Sequence, residues 1–521
     1  MEKWVEKRNI SLSELCFYLF FVSLLFAKGI GLYDGQVSFK IFLLLALAGW
    51  VGKMILTQYE LYEIPLYILL VTLGGMIYLV SREKGALLVI LLLCAFKNMD
   101  LKKVFQVGCV TWILSFGSLF LLTSLHIVDS AFKVHDRLGL GRVIRWSLGY
   151  AHPNVLHISY FTLVCFLIFL LQDKYRFYQL VLLELGNFYV FLYSLSNTGF
   201  LVTTFCLVLV FYWNFRKKFC KVEKFLIECF LPVCLFFSFG APLLLKGRTF
   251  DIVNKLLNTR VELSRWFLLN QQIKLFGVNT ASIVTPLRTM DNSYVFAVIT
   301  YGAIFFVFIM IKYFQIIHST AKNQNGIALC IILSCLVAGL TEPFLFNTSF
   351  KNISLFFLGT ELFAVQKMKR FHPIQLLRDR DMTILLFNFR KISKEIGRNF
   401  CRRRYQVTVA TIIGALLCGV IVFLVSPMPE NYFLPRSAFE FTDDLEQSYY
   451  FASEDDGQHE GAKVLGYQSD QTEMVLFSGR ISQVERFRNT VTGVLISGVV
   501  IFVIGNMFMI RVGRKKKNYE K

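Results

Sequence analysis

Charged residues are scarce in this sequence: Asp, Glu, Lys and Arg together make up 17% of its 521 residues. Soluble globular proteins contain about 25% of these residues, whereas this chain is 55% hydrophobic and has a mean hydropathy of +0.55. Apolar runs recur from "LCFYLFFVSLLFAKGIGLY" to "TGVLISGVVIFVIGNMFMI", and many are long enough to cross a bilayer as a helix. The composition excludes an ordinary soluble domain and predicts a polytopic membrane protein.

Several motifs of metal and nucleotide enzymes are missing from the sequence. It contains no CxxC pair, no HExxH and no Gly-rich nucleotide loop, so we expect neither a metal nor another cofactor, and ATP is not indicated as an energy source. The 12 cysteines all fall in apolar runs or in predicted cytoplasmic segments. This distribution excludes a disulfide framework in the outer loops.

Acidic residues are outnumbered, with 35 Asp and Glu against 55 Lys and Arg, for a formal net charge of +20. Such a charge could indicate nucleic-acid binding, but the clusters "RKKFCKVEK", "RKISKEIGRNFCRRR" and "RVGRKKKNYEK" all fall on one side if the spans alternate. The segment 427–487 on the opposite side is acidic. The positive-inside rule therefore predicts cytoplasmic N- and C-termini and no nucleic-acid partner.

The apolar runs predict an all-α fold, a polytopic transmembrane helical bundle of about 12 core spans plus 2 C-terminal spans. The core occupies residues 1–366 and includes a large extracellular loop, 246–292, whose apolar spacing predicts an amphipathic helix along the membrane surface. A basic cytoplasmic linker, 367–405, follows. The C-terminal module, 406–521, consists of two transmembrane helices that flank the acidic extracellular segment 427–487.

Arginines occur in two outer loops, 128–153 and 246–292, where the positive-inside rule does not favour them. These candidates are Arg142, Arg145, Arg260 and Arg265. A single arginine near a helix end can extend its charge to the lipid headgroups without further function. Several together favour an anion site, because the planar guanidinium binds phosphate oxygens through two hydrogen bonds. A lipid diphosphate, which lies at headgroup depth, would suit such a site.

Polar residues at three predicted helix ends are the other candidates. In "YAHPN", Pro153 disfavours helical geometry at His152, and Asn154 can cap the entering helix while a neighbour faces the site. His152 can equally be a capping or interfacial histidine.

The second helix end, "RTMDNSYVF", contains Asp291 and Asn292. Asp291 is either a helix cap or a general base for a sugar hydroxyl. Glu342, which precedes Pro343, lies at a depth where an ionisable group is costly unless it is paired. We therefore expect Glu342 to contact or orient an arginine; a direct catalytic role is the alternative.

The motifs "HPN", "SNTG", "NTRVELSRWF…IKLFG" and "DNSYVFAVITYG", in this order and with this sidedness, resemble the O-antigen ligase and polysaccharide polymerase (Wzy-type) superfamily of bacterial envelopes. The resemblance covers roughly residues 1–366. It implies a multi-helix, metal-independent glycosyltransferase of the bacterial plasma membrane. The implied substrates are undecaprenyl-diphosphate-linked oligosaccharides at the outer face.

The resemblance also implies roles for individual residues. Arg260 matches the family arginine that opens the large loop and binds the donor diphosphate. Asp291 stands where many ligases have a histidine before Asn, so the identity of the base stays open. Asn197 stands where the family often has an arginine, which makes Arg142 or Arg145 the expected second diphosphate ligand.

The expected function is a polymerase that joins repeat units of a capsule, exopolysaccharide or O-antigen. Its expected partners are the lipid-linked oligosaccharides and membrane lipids, with a flippase and a chain-length regulator as further candidates. Two alternatives are a ligase that moves finished glycan to another acceptor and a lipid-oligosaccharide flippase or transporter. The C-terminal module resembles chain-length regulators in its arrangement; the alternative is an extension for assembly with partners.

Overall fold

A computed structural model describes most of the chain. The described residues are 5–124, 127–128, 130–137, 141–171, 177–216, 218–257, 259–284, 289–362, 374–387, 405–426, 428, 431–435, 438, 463–464, 474–478 and 481–519. Most of the predicted linker 367–405 and of the predicted acidic segment 427–487 lies outside these residues.

Helices make up most of the described chain. The first nine are α1 (Leu12–Gly29), α2 (Val37–Leu56), α3 (Glu63–Ser81), α4 (Gly85–Ala95), α5 (Leu101–Ser124), α6 (Pro153–Leu171), α7 (Phe177–Ser194), α8 (Asn197–Arg216) and α9 (Lys221–Leu235). The others are α10 (Ala241–Leu244), α11 (Gly247–Leu256), α12 (Arg260–Asn270), α13 (Ser293–Phe296), α14 (Gly302–Lys322), α15 (Gly326–Ala338), α16 (Ser354–Leu362), α17 (Tyr405–Val425) and α18 (Ile481–Tyr519). π-Helical turns join α9 to α10 (Phe236–Gly240) and α13 to α14 (Ala297–Tyr301).

Ten helices in the described part are long and apolar enough to cross a membrane, and α4 and α15 are shorter apolar helices. A helix lies at each predicted span, which confirms a mostly helical, multi-pass membrane protein. The number of helices that cross remains a prediction. Large apolar side chains on α2 and α3 stay exposed, among them Leu44 and Leu69, as expected for helices that contact lipid rather than water.

The fold is not purely helical, because short strands form outside the long apolar helices. They are β1 (Val5–Ser11), β2 (Phe132–Arg137), β3 (Gly141–Trp146), β4 (Asp381–Phe387), β5 (Asn431–Pro435), β6 (Lys463–Val464) and β7 (Met474–Ser478). β1 pairs with β4 and β2 with β3, both antiparallel, and β5 lies between β6 and β7. Backbone groups in these segments need partners that a helix would otherwise supply.

Contacts divide the chain into two compact units. The first comprises Met1–Asp129, Gly149–Asn187 and Ser196–Phe389, and the second comprises Ser130–Leu148, Phe188–Leu195 and Arg390–Lys521. The boundaries of these units differ from those of the predicted domains. Strand β4, within the predicted linker, belongs to the first unit, and the β2–β3 hairpin, within the predicted core, belongs to the second.

Phenylalanine side chains fill the interior of the first unit. Phe105 of α5 stacks on Phe169 of α6 with ring centroids 3.7 Å apart, and it meets Phe356 of α16 edge-on at 5.6 Å. Phe356 also meets Phe21 of α1 edge-on at 5.3 Å. Aromatic pairs in these geometries add to the packing of helices, so these rings help to hold α1, α5, α6 and α16 together.

One end of the first unit is closed by strand pairing and by ion pairs between helix ends. Leu12 donates its backbone N–H to the carbonyl of Arg380 at 2.7 Å, next to the β1–β4 pairing. Lys103 at the start of α5 pairs with Glu14 of α1 at 3.1 Å. The N-terminal strand and β4 therefore lie at the same end of this unit, as the predicted same-side location of the N-terminus and the linker requires.

The large loop 246–292 contains two helices, α11 and α12, where the apolar spacing predicted one. Thr259 precedes the second of these helices, and its φ of 66° lies in the left-handed region. Asn254 of α11 caps the start of α12, since its Oδ1 accepts the backbone N–H of Glu262 at 3.0 Å. Ile252 and Leu256 on α11 are exposed, consistent with the predicted contact between this helix and the membrane surface.

After α12, the loop packs against the π-helical turn of Ala297–Tyr301. Val278 donates its N–H to the carbonyl of Ile299 at 3.1 Å, and Ala303 donates to the carbonyl of Lys274 at 3.0 Å. A Cβ on Gly302 would lie 2.4 Å from the backbone N of Gly277, and both glycines have positive φ. The "IKLFG" and "ITYG" glycines therefore permit a backbone-to-backbone contact that joins the loop to α14.

Candidate functional site

The two predicted catalytic residues form an ion pair in the first unit. Arg260 is the first residue of α12, and its Nη2 lies 2.8 Å from Oδ2 of Asp291. Thr289 donates its hydroxyl to the same oxygen at 3.1 Å. The side chains of Arg260 and Asp291 are 17% and 21% exposed, so the pair is open enough for a ligand to reach it. A guanidinium and an oriented carboxylate thus lie at one point of the large loop.

Asn292, the next predicted residue, shapes the helix start beside this pair. Its Oδ1 accepts the backbone N–H groups of Tyr294 and Val295 at 2.9 and 3.1 Å, and its Nδ2 donates to Ser238 at 3.0 Å. Asn292 is therefore the N-cap of α13. Ser238 lies in the π-helical turn between α9 and α10. The Asn292 amide therefore connects the start of α13 to the helical segment that precedes the loop.

Glu342 is brought to the same helix start through Ser293. The backbone N–H of Ser293 donates to the carbonyl of Gly339 at 2.8 Å, and its hydroxyl donates to the carbonyl of Glu342 at 2.5 Å. The segment after α15 is thereby joined to the residues that follow Asp291. The alternation of spans predicts that α15 ends and α13 begins on the same side, and these contacts agree with that prediction.

Asn154 and His152 complete the network. Asn154 donates its Nδ2–H to Oε1 of Glu342 at 2.8 Å, and its backbone N–H donates to Nδ1 of His152 at 3.2 Å. Glu342 is buried, and the Asn154 amide is one of its partners; the expected contact with an arginine stays a prediction. Six predicted site residues therefore lie in one connected network. They are His152, Asn154, Arg260, Asp291, Asn292 and Glu342.

Lys351 is a charged residue beside this network that the sequence reading did not identify. It lies between α15 and α16, it is buried, and its ammonium donates to Ser159 Oγ at 2.8 Å and to the carbonyl of Val155 at 3.3 Å. The ring of Tyr150 lies 5.0 Å from Nζ. Burial, and then the charge of Lys28, lower the pKa of Lys351 to about 7, whereas the Glu342 carboxylate acts to raise it.

A signal for Lys351 was present in "TSFKNISLFF", where a single cation stands next to an apolar run. Ionisable residues at such positions are functional candidates by default. Arginine is the stronger candidate by sequence alone, because its planar guanidinium is the better diphosphate ligand. Lys351 holds the first turn of α6, which carries Asn154, against the segment of Glu342, so it supports the geometry of the network.

Arg265, a predicted diphosphate ligand, contacts backbone carbonyls. Its Nε donates to the carbonyl of Pro242 at 2.5 Å and its Nη2 donates to the carbonyl of Leu245. Its guanidinium also stacks on the ring of Phe250 at 3.9 Å. These contacts connect α12 to the end of α10 and to α11. Diphosphate binding by Arg265 stays a prediction, and the geometry indicates a structural role for this residue.

Arg142 and Arg145 lie on strand β3 in the second unit. Arg145 is 2% exposed and donates its Nε–H to the carbonyl of Ser194, the last residue of α7, at 2.9 Å. Arg142 pairs with Asp136 in the register of the hairpin. Their role as second diphosphate ligand stays a prediction, and the contacts of Arg145 are those of a residue that anchors β3 to α7.

The "SNTG" segment provides close packing. Asn197 is exposed at the start of α8, while a Cβ on Gly199 would lie 2.5 Å from the side chain of His157. His157 is fully buried and its Nε2 lies 2.8 Å from Oδ1 of Asn187. This glycine therefore lets α8 approach α6 closely.

The first unit contains a cation and a carboxylate at the start of α12. Next to them lies a network of amide, hydroxyl and carboxylate groups. Such groups can bind an oxyanion and accept a proton from a hydroxyl. Comparison with known proteins found no matching family model, no similar curated protein and no similar solved structure. The resemblance to the O-antigen ligase and polysaccharide polymerase superfamily therefore rests on the quoted motifs.

Proposed function

We propose that this protein is a membrane polysaccharide polymerase that joins oligosaccharide repeat units carried on undecaprenyl diphosphate at the outer face of a bacterial plasma membrane. The observation that carries the proposal is the Arg260–Asp291 contact and its connection, through Ser293, to Glu342 and Asn154. The order of the quoted motifs supports the same assignment.

In the proposed reaction, a sugar hydroxyl of one lipid-linked repeat attacks the anomeric carbon of the chain on a second carrier. Asp291 accepts the hydroxyl proton as the new glycosidic bond forms. The bond from the anomeric carbon to the diphosphate breaks, and its electron pair leaves with the undecaprenyl diphosphate. A single displacement of this kind inverts the anomeric configuration.

Arg260 stabilises the negative charge that develops on the departing diphosphate. Its contact with Asp291 orients both side chains before the substrate binds. The carbohydrate hydroxyls meet the amide and carboxylate groups of Asn154 and Glu342, which hold each other at 2.8 Å. Lys351 positions Asn154 through its bonds to the first turns of α6.

The test is polymer formation in membranes that contain the full-length protein and lipid-diphosphate-linked repeats isolated from its host. Arg260→Ala should lower the transfer rate by about 10²–10³, the effect of removing one donor from a transition-state oxyanion. Lys255→Ala, which removes an exposed cation from α11, is the matched control and should leave the rate unchanged. An Arg260→Ala protein that is present at normal abundance and produces full-length polymer would contradict the proposal.

A deletion strain separates the alternatives. Polymerisation predicts that single lipid-linked repeats accumulate at the outer face. Ligation predicts that long lipid-linked chains accumulate there, and transport predicts single repeats on the cytoplasmic leaflet. Either of the last two results would replace the polymerase proposal with the corresponding alternative.

A further inference from the structure

The β2–β3 hairpin of the second unit has one apolar face. Side chains alternate along a strand, so Phe132 and Val134 of β2 share a face with Ile144 and Trp146 of β3. The register pairs Phe132 with Trp146 and Val134 with Ile144, and the rings of Phe132 and Trp146 lie 5.1 Å apart. An isolated two-stranded hairpin is marginally stable in water, so this face needs a cover.

The cover comes from the C-terminal module. Tyr432 and Leu434 of β5 are fully buried, and with Ala438 they form one apolar cluster with Phe132, Val134 and Ile144; Trp146 packs against it. Two segments separated by about 290 residues in the sequence thus form one small core. Tyr432 also donates its hydroxyl to Oε2 of Glu485, near the start of α18, at 3.0 Å.

Arg488 of α18 joins the same elements through its charge. Its guanidinium carbon lies 4.9 Å from the ring centroid of Tyr193 on α7 and 5.5 Å from that of Trp146 on β3. Its Nη2 lies 3.6 Å from Oε1 of Glu485. The residue is 9% exposed, and its buried Nε has no hydrogen-bond partner among the described residues.

A buried guanidinium is costly unless its surroundings stabilise it. Here the rings of Tyr193 on α7 and Trp146 on β3 stabilise the guanidinium, together with Glu485 on α18. Arg488 therefore stays buried only while the hairpin, the end of α7 and α18 remain together. The end of α7 is also where Arg145 is bound, because Ser194, the acceptor of Arg145, follows Tyr193.

We propose that the C-terminal module is an intramolecular clamp on the β2–β3 hairpin, and that Arg488 is the positioning residue that holds β3, the strand of Arg142 and Arg145, in place for binding of a lipid diphosphate to this strand. The binding part of this proposal rests on the proposed function. The clamp itself rests on the apolar cluster and on the contacts of Arg488.

Hydrogen exchange measured by mass spectrometry on the full-length protein in nanodiscs tests the clamp without any substrate. Arg488→Ala should accelerate exchange in peptides from residues 130–148 by about tenfold, the size expected when two cation–π contacts of a buried cation are lost. Arg488→Lys should give a smaller acceleration, since a compact ammonium keeps the charge without the planar stacking. Exchange in peptides from α1–α5 should not change.

Arg486→Ala is the matched control. Arg486 lies two residues earlier on α18, and it stacks on Phe423 of α17 at 3.8 Å and donates to the Phe423 carbonyl at 2.6 Å. Its loss removes the same charge from the same helix, but it should leave hairpin exchange at the wild-type rate. Equal hairpin exchange in wild type and Arg488→Ala would overturn the clamp.

A milder variant keeps the test decisive if Arg488→Ala does not accumulate. Tyr432→Phe removes only the hydroxyl that Glu485 accepts, and it should accelerate hairpin exchange by about threefold, the effect of one hydrogen bond at the low end of its usual range. Unchanged exchange in both Tyr432→Phe and Arg488→Lys would also overturn the clamp.

The second readout is equilibrium binding of undecaprenyl diphosphate to the same nanodiscs. Arg488→Ala should raise the Kd through the displaced hairpin, in proportion to the fall in the fraction of molecules whose hairpin is positioned for binding. Arg142→Ala should raise the Kd without accelerating hairpin exchange, because it removes a ligand and leaves the clamp intact. If Arg488→Ala accelerates exchange but leaves the Kd unchanged, the binding part of this proposal is wrong. If wild type does not bind undecaprenyl diphosphate, the proposed function fails, and the exchange data still decide the clamp.

Discussion

Helix α12 carries an arginine at its first position and another in its middle, and the two have different partners. Arg260 at the first position pairs with the Asp291 carboxylate, whereas Arg265 donates to the carbonyls of Pro242 and Leu245 and stacks on Phe250. Two side chains five residues apart on an α-helix point in directions that differ by about 140° around the helix axis. The two arginines therefore face different surroundings. One faces a carboxylate that another anion can replace, and the other faces backbone carbonyls at the end of α10.

The two arginines predicted as ligands in this loop therefore have different kinds of partner, which the number of arginines alone does not reveal. A guanidinium paired with a partly exposed carboxylate can exchange that partner for a phosphate, because both partners are anions of similar geometry. A guanidinium bound to carbonyls replaces hydrogen bonds that a helix end otherwise lacks. The first arrangement suits binding or catalysis, and the second suits stability.

The largest expected effect tests the Arg260–Asp291 pair. Arg260→Ala and Asp291→Asn should each lower the transfer rate by about 10²–10³, and the double variant should be no slower than the slower single variant, because residues that act as a unit are not additive. The measurement is the initial rate of chain extension in membranes with matched protein abundance. Fully additive losses would show that Arg260 and Asp291 act separately.

The next effect tests the contacts of Arg265 with backbone carbonyls. Arg265→Ala should lower the free energy of unfolding by about 2 kcal/mol, since it leaves carbonyls at the end of α10 without their charged donor. The rate per folded molecule should stay near the wild-type value. Thermal unfolding in detergent and the transfer assay measure the two quantities, with Lys255→Ala as control. A loss of rate with unchanged stability would place Arg265 with the ligands.

A third cation, Lys351, should show its burial through pH. Its pKa is about 7 in the folded protein against 10.5 for an ordinary lysine, so the folded state carries fewer protons than the unfolded state between these values. Wild-type stability should therefore rise with pH in this window, by about 1.4 kcal/mol per pH unit at most, and Lys351→Met should lack the rise.

The measurement for Lys351 is thermal unfolding from pH 7 to pH 10. Below pH 7 both states of the wild type are protonated, and the full cost of burying the charge remains. The stability of Lys351→Met relative to wild type should therefore be greater below pH 7 than at pH 10. The exposed-site variant Lys255→Met should follow the wild-type profile. Parallel profiles for wild type and Lys351→Met would show that burial does not lower the pKa of Lys351.

The smallest effect tests the junction that brings Asp291 and Glu342 together. Ser293→Ala removes the hydroxyl that donates to the Glu342 carbonyl. It should lower the free energy of unfolding by about 1 kcal/mol. Ser334→Ala is the matched control, because its buried hydroxyl donates to the Cys330 carbonyl of the same helix, α15, at 2.7 Å. A transfer rate that falls in Ser293→Ala and not in Ser334→Ala would place the junction in the site. Equal behaviour of the two variants would limit Ser293 to packing.

Part of the candidate site could be predicted from local chemistry. Asn292 caps a helix because a short amide after an irregular segment is a strong N-cap signal. Asn154 follows a turn proline and precedes an apolar run, which predicts a polar helix start; α6 begins at Pro153, and the His152 ring accepts the backbone N–H of Asn154. The opposite fates of Arg260 and Arg265 could not be predicted, because the apolar spacing did not reveal the break at Thr259 that sets the start and the rotation of α12.

The sequence by itself determined the helices of the membrane and their polar ends, because the length of an apolar run and the chemistry of a cap are local properties. Tertiary structure decided which polar groups meet. It placed Lys351 under the first turn of α6, joined Glu342 to Asn154, and combined the β2–β3 hairpin with strands of the C-terminal module. Such pairings depend on the packing of segments hundreds of residues apart, and neither composition nor periodicity encodes them.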